Sequence, residues 1–199
     1  WTEVNDLNDS RTQISGGGGV YTSVIAAAGN SPPRTANTET FDGTSWTELA
    51  DLATASQQGG GAGTQTASLA YGGFSGAPPI TTHTNTESWD GSSWTNSPTP
   101  LNTATQQNAA AGTSTSALSY AGNNTATSNQ LNTFELYNGT TWITQPNMAI
   151  ARSYIAGFGV STSALGAGGY GPAINPDRTR TEEFTAETTA ANIADFTTS

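Results

Sequence analysis

Cysteine and lysine are absent from the 199 residues, and histidine occurs once, as His83. Without cysteine there is no disulfide, no thiolate metal ligand and no thiol nucleophile, and one imidazole cannot build a multi-histidine metal centre within one chain. No metal site and no cofactor is therefore expected. Charge is scarce as well, at 10% of residues: five arginines (Arg11, Arg34, Arg152, Arg178, Arg180) stand against 15 acids, for a formal net charge of −10. That balance offers no electrostatic footprint for nucleic acid or an anionic membrane. No apolar run approaches the roughly 18 residues of a spanning helix, so membrane insertion is not expected, and the opening residues do not read as a signal peptide. The sequence starts at Trp1 rather than Met, which reads as a processed chain or a fragment.

What is abundant is threonine, at 35 positions, together with 23 glycines and 17 aromatic residues. Low charge and small polar residues suit a disordered chain, but aromatics at regular intervals supply the apolar surface that disordered chains lack. Threonine and aromatic side chains favour pleated strands, so the fold class is read as all-β. The intervals are set by an internal repeat. Thr38-Glu39-Thr40-Phe41-Asp42-Gly43-Thr44-Ser45-Trp46 returns 48 residues later as Thr86-Glu87-Ser88-Trp89-Asp90-Gly91-Ser92-Ser93-Trp94. It returns again as Phe134-Glu135-Leu136-Tyr137-Asn138-Gly139-Thr140-Thr141-Trp142, and in part as Thr181-Glu182-Glu183-Phe184. A second block precedes each copy, clearest as Ala62-Gly63-Thr64-Gln65-Thr66-Ala67-Ser68-Leu69-Ala70-Tyr71-Gly72-Gly73.

Periods of about 40 to 50 residues without 3.6-residue apolar spacing point to propeller blades rather than helical repeats. Within a repeat, four short strands are expected, for example around residues 57–63, 66–71, 86–89 and 93–95. The Asp42-Gly43, Asp90-Gly91 and Asn138-Gly139 dipeptides are expected to join the third strand to the fourth as type I′ hairpin turns. Glu39, Glu87, Glu135 and Glu182 recur once per repeat, which argues for a structural role, meeting a backbone or hydroxyl donor beside the third strand.

The glycine doublet, the aromatic and the following tryptophan resemble the kelch repeat over nearly the whole chain. The variant with Ala-Gly-Thr-x-Thr and Thr-Glu-x-aromatic-Asp-Gly-x-x-Trp is similar to propeller arrays in tail-fibre and other virion proteins of marine phages, including cyanophages. Two features depart from the pattern. The doublet is Ala28-Gly29 and Ala121-Gly122 in two copies, and the arginine that opens the first strand survives as Arg11 and Arg152 but becomes Ser56 and Thr105 elsewhere. The resemblance implies a kelch-like β-propeller of four visible repeats with four-stranded antiparallel blades. It divides as one domain over residues 1–187, with blades at about 5–46, 47–94, 95–142 and 143–187, and a tail over 188–199. Residues 1–4 read as a fourth strand with nothing before it, whereas the last repeat has Thr189 where its tryptophan would stand. Pairing residues 1–4 beside residues 181–185 is expected to close the ring at four blades, or at more if the chain is a fragment.

Loops between the second and third strands, over residues 30–37, 74–85, 123–131 and 170–180, differ completely between repeats. A rigid scaffold presenting divergent loops suits recognition. The ligand-binding candidates are Arg34, His83, Asn124, Tyr170, Asp177, Arg178 and Arg180, with Tyr170, Asp177, Arg178 and Arg180 suited to a glycan. No catalytic residues are assigned, because no constellation of nucleophile, base and acid breaks the repeat symmetry. The expected function is a non-enzymatic structural or adhesin module of a phage tail fibre or surface appendage, located on the virion or outside cells. Its expected partners are other virion proteins and a host polysaccharide or receptor, with homo-oligomerisation in the assembly. The alternatives are a purely architectural virion module and a secreted glycan-active enzyme.

Overall fold

The computed structural model describes residues 1–32, 34–76, 80–127, 129–171 and 179–186. These residues form nineteen strands and no helix, so the chain is all-β. Strands β1 (Gly16–Val20), β2 (Ser23–Asn30), β3 (Arg34–Phe41) and β4 (Trp46–Leu49) build a first antiparallel unit. The second unit has β5 (Gly60–Thr64) and β6 (Ala67–Tyr71), a small loop hairpin of β7 (Phe74–Ser75) and β8 (Thr81–Thr82), then β9 (Thr86–Trp89) and β10 (Trp94–Asn96). The third repeats this plan with β11 (Ala109–Thr113), β12 (Ser116–Tyr120), the loop pair β13 (Asn123–Asn124) and β14 (Asn129–Gln130), β15 (Phe134–Tyr137) and β16 (Trp142–Thr144). The fourth has β17 (Ala156–Val160), β18 (Ser163–Ala167) and β19 (Thr181–Thr185). One pair, Gly16↔Ala70, joins the first two units in an eight-stranded sheet. Strands therefore fall where the repeat places them, and the architecture is consistent with a β-propeller-like fold.

Local chemistry explains the repetition. Gly19, Gly63, Gly112 and Gly159 have φ between +106° and +130°. A Cβ there would stand 2.0–2.3 Å from the carbonyl oxygen of Ser23, Ala67, Ser116 or Ser163. Only glycine permits the tight turn between first and second strands. The turn from third to fourth strand differs from the expected type I′. Gly43, Gly91 and Gly139 take positive φ, but the preceding Asp42, Asp90 and Asn138 do not. Instead, Oδ1 of each accepts the N–H groups of the second and third residues onward, at 2.8–3.0 Å. These are Asx turns, in which the side chain replaces a backbone acceptor. The donors stabilise the ionised carboxyl and lower the Asp90 pKa to about 2.

The first strands stand side by side, β1 against β5, β5 against β11 and β11 against β17. Aromatics fill the joints between units. In the second joint, Tyr71 and Leu69 meet Ala117, Tyr137 and Trp142. The Tyr71 hydroxyl donates to Leu118 O at 2.7 Å and the Trp142 Nε1–H to Thr86 Oγ1 at 3.0 Å. Trp94 makes the same bond to Thr38 Oγ1, at 2.8 Å, in the first joint. The third joint closes with Tyr120 donating to Leu165 O at 3.1 Å and with the Phe134 and Phe184 rings 4.4 Å apart.

The expected closing strand is not formed. Residues 1–7 have no regular structure, Trp1 is fully exposed, and among the described residues β19 pairs with β18 alone. The anchor that follows explains this: Asn8 N–H and side-chain Nδ2–H both donate to Glu39 of the first unit, at 2.7 and 2.9 Å. The segment is thereby held beside β3 and β4, at the opposite end of the row from β19. The tail expected over 188–199, with Thr189, lies outside the described residues.

Candidate functional site

The recurring glutamates are backbone anchors. Glu39 accepts from Asn8 N and Asp9 N, Glu87 from Ala53 N and Thr54 N, Glu135 from Asn102 N and Thr103 N, and Glu182 from Ala149 N. Each carboxylate thus ties the connector entering a unit to that unit's third strand. In the first and fourth units an arginine completes the bond set. Arg11 donates to Glu39 Oε1 at 2.9 Å and to the carbonyls of Asn37 and Ala26. Arg152 donates to Glu182 Oε1 at 2.8 Å and to the carbonyls of Gly168 and Arg180.

In the second unit Ser56 replaces the arginine, and among the described residues Glu87 is buried with the Ala53 and Thr54 N–H donors and no cation. Burial raises its pKa, against the pull of the Ala53 and Thr54 N–H groups. A carboxyl whose folded pKa exceeds its unfolded one binds its proton more tightly in the native state, so stability falls as pH rises through the folded value. Glu87→Gln is expected to remove this part of the decline, which begins above the ordinary glutamate value of 4.5. Urea titrations over a series of pH values rising from there check it, and an unchanged pH slope would refute the assignment.

The loop candidates are spread over the units. Arg34 lies with its guanidinium 4.6 Å from the centre of the Phe74 ring and donates to Gln57 Oε1 at 3.0 Å, bridging the first and second units. His83 lines a cavity of about 10 Å³ with Ser56 and Glu87. Its Nε2 is buried without a hydrogen-bond partner, and burial lowers its pKa. Asn124 stabilises its own turn, accepting from Ala126 N and donating to Ala104 O. Tyr170 bridges Ser153 through its backbone and keeps its ring half exposed. Arg180 is exposed at the start of β19. Asp177 and Arg178 lie outside the described residues.

A different set of residues does converge. Gln13, Gln58, Gln107 and Tyr154 occupy one position of the repeat, two residues after Arg11, Ser56, Thr105 and Arg152. All four have left-handed backbones, with φ of 55°, 60°, 57° and 56°. The N–H of each donates to the carbonyl of the one before: Gln58 to Gln13 at 3.0 Å, Gln107 to Gln58 at 2.6 Å, Tyr154 to Gln107 at 3.0 Å. Gln107 Nε2 also donates to Gln58 Oε1 at 2.7 Å. These residues line a cavity of about 300 Å³ with Gly59, Asn108 and Ile155. Asn108 Oδ1 is a buried acceptor with no donor from the protein. Bridges Thr12↔Asn30, Gln57↔Phe74, Gln106↔Asn123 and Ser153↔Tyr170 place this mouth at the same end of the units as the divergent loops.

Left-handed non-glycine residues cost about 1–3 kcal/mol each and concentrate where a site requires them. The lining carries amides, one phenol and no charged side chain, so it offers paired donors and acceptors with an exposed ring beside them. Sequence reasoning passed over it because glutamine is not a residue expected at positive φ. The signal was nevertheless present in the recurrence of Gln13, Gln58 and Gln107.

In searches against protein-family models and curated proteins, the chain matches none.

Proposed function

We propose that the chain is a kelch-type β-propeller in which the four units are blades, and that it is a non-enzymatic recognition module of a phage virion appendage. Its ligand is a neutral glycan of a host surface, bound at the glutamine-lined mouth. The observation that carries this reading is the convergence of four strained, uncharged polar residues on one cavity. Sugar hydroxyls match amide donors and acceptors, and the exposed Tyr154 ring offers a face for sugar C–H groups. An enzymatic reading gains nothing from the recurring glutamates, which are committed to backbone N–H groups. Single sites of this kind are weak, and many copies on one particle supply avidity.

The backbone strain makes the test specific. Changing Gln13, Gln58 and Gln107 together to glycine relieves three left-handed residues and is expected to stabilise the protein by up to about 1 kcal/mol per site, while abolishing glycan binding. Thermal melts and binding of multivalently presented protein to host surface polysaccharides measure both. Binding that survives in this variant and in Tyr154→Ala would remove the ligand from the mouth. Absence of binding by the native protein at any valency would favour the architectural module.

A further inference from the structure

The outward face of the fourth unit repeats a joint surface that has no cover among the described residues. In the second and third units, the cross-strand pairs Ala62↔Leu69 and Ala111↔Leu118 are buried by the unit that follows. The same register position in the fourth unit is Phe158↔Leu165. Leu69 and Leu118 are 1% and 0% exposed, whereas Phe158 and Leu165 are 56% and 37% exposed, beside Val160 at 54%. Thr181 stands exposed where Thr38 and Thr86 accept an indole N–H in the first two joints.

The first unit carries the matching half. Trp46 holds the position of Trp94 and Trp142, but among the described residues no hydroxyl receives its Nε1–H. Opposite the Ala62 position, the internal joints present Gly61, Ala110 and Gly157, and the first unit presents Gly17. A Cβ added at Gly17 would approach nothing nearer than Ile25 O at 3.4 Å, while one at the equivalent Gly61 would stand 2.4 Å from Gly17 N. The bulk gained at Phe158 thus faces a position that carries no side chain and has open space over it, the relation expected of two surfaces that pack together. Residues 1–4 add a second fit. They have the Trp-Thr-Glu pattern of β4 and are exposed, β19 has an edge that no described residue pairs with, and a cavity of about 120 Å³ lies among Tyr120, Phe134, Ala164 and Phe184. That cavity corresponds to the site that Trp142 fills between Tyr71, Thr86, Ala117 and Tyr137 one joint earlier.

We infer that the occupant of this face is the first unit of a second copy of the chain, related head to tail. Trp46 of one copy donates to Thr181 of the other, Phe158 packs over Gly17, and residues 1–4 add to the edge of β19 with the Trp1 indole in the vacant joint. Heterologous contacts close into a ring when their rotation permits. Two copies would supply eight blades, within the range that propellers adopt. The inference rests on the propeller reading above.

Sedimentation of the 199-residue protein is expected to give a mass twice 20.3 kDa. Phe158→Asp is expected to weaken that dimer at least about tenfold. Because the chain has no native cysteine, cross-linking can report the joint directly. Mixed Gly17→Cys and Phe158→Cys proteins should form a disulfide-linked dimer. Ser116→Cys/Ser161→Cys serves as the control, since these hydroxyls lie 2.6 Å apart across the third joint, and it should cross-link within one chain. A monomer at all concentrations, or an intrachain disulfide in the double variant Gly17→Cys/Phe158→Cys, overturns the second-copy assignment while the control still supports stacked blades. Failure of the control itself would instead refute the stacking on which the propeller reading depends.

Discussion

Trp142→Ala is expected to cost about 3–5 kcal/mol of folding stability. The indole is buried, its ring lies 4.8 Å from that of Tyr71 and 5.2 Å from that of Tyr137, and its N–H satisfies the Thr86 hydroxyl. Truncation removes the apolar contacts, leaves a cavity in a joint between two units, and strips a buried hydroxyl of its donor. Trp142→Phe keeps most of the apolar area and is expected to cost about 1–2 kcal/mol, the loss of a buried hydrogen bond with modest repacking. Urea denaturation of the two variants beside the native protein separates these contributions. A loss under about 1 kcal/mol for the alanine variant would mean that the joint does not depend on the indole.

Arg11→Ser produces the second large effect, again about 3–5 kcal/mol at neutral pH. The Arg11 and Glu39 side chains are 0% and 1% exposed, so solvent screens the pair little. Removing the guanidinium leaves a buried carboxylate and two carbonyls without their cation, the arrangement that the second unit already has at Ser56 and Glu87. The expected penalty is therefore pH-dependent. The cost comes from the uncompensated charge of a buried carboxylate, so the destabilisation is larger at neutral pH than in acid. Chemical denaturation at about pH 7.5 and pH 4.5 reads the difference, and an equal loss at both would show that the carboxylate charge is not its source. The variant also tests the connector, because Glu39 holds Asn8 and Asp9 through the same two oxygens.

The parts of the fold that could be read in the sequence are those governed by period and by backbone necessity. The aromatics and tryptophans of the 48-residue repeat lie on the strands that the structure shows, and glycines such as Gly63 and Gly112 stand where a side chain would collide with a carbonyl oxygen. The glutamates were legible as structural because a group that recurs in every unit answers a need that recurs in every unit. Turn type was less legible, since the Asp-Gly pair fits both a type I′ hairpin and the Asx turn that Asp42 and Asp90 adopt. Edge choice was not legible at all. The pattern of residues 1–4 reads as a fourth strand but carries no information about what that segment pairs with, and in the structure it has no regular conformation. The mouth was hidden for the opposite reason, because Gln58 and Gln107 violate local backbone preference, and propensity discounts residues held in left-handed backbone.

The successive backbone bonds from Gln58 to Gln13, Gln107 to Gln58 and Tyr154 to Gln107 give every joint the same main-chain link, independent of side-chain identity. Duplication or deletion of one 48-residue register therefore leaves each remaining link intact, as in other arrays stabilised by nearest neighbours. Recombination within such a gene would add or subtract whole positions around the mouth without creating a new interface; under the recognition role proposed above, receptor range would then diversify by copy number as well as by point substitution.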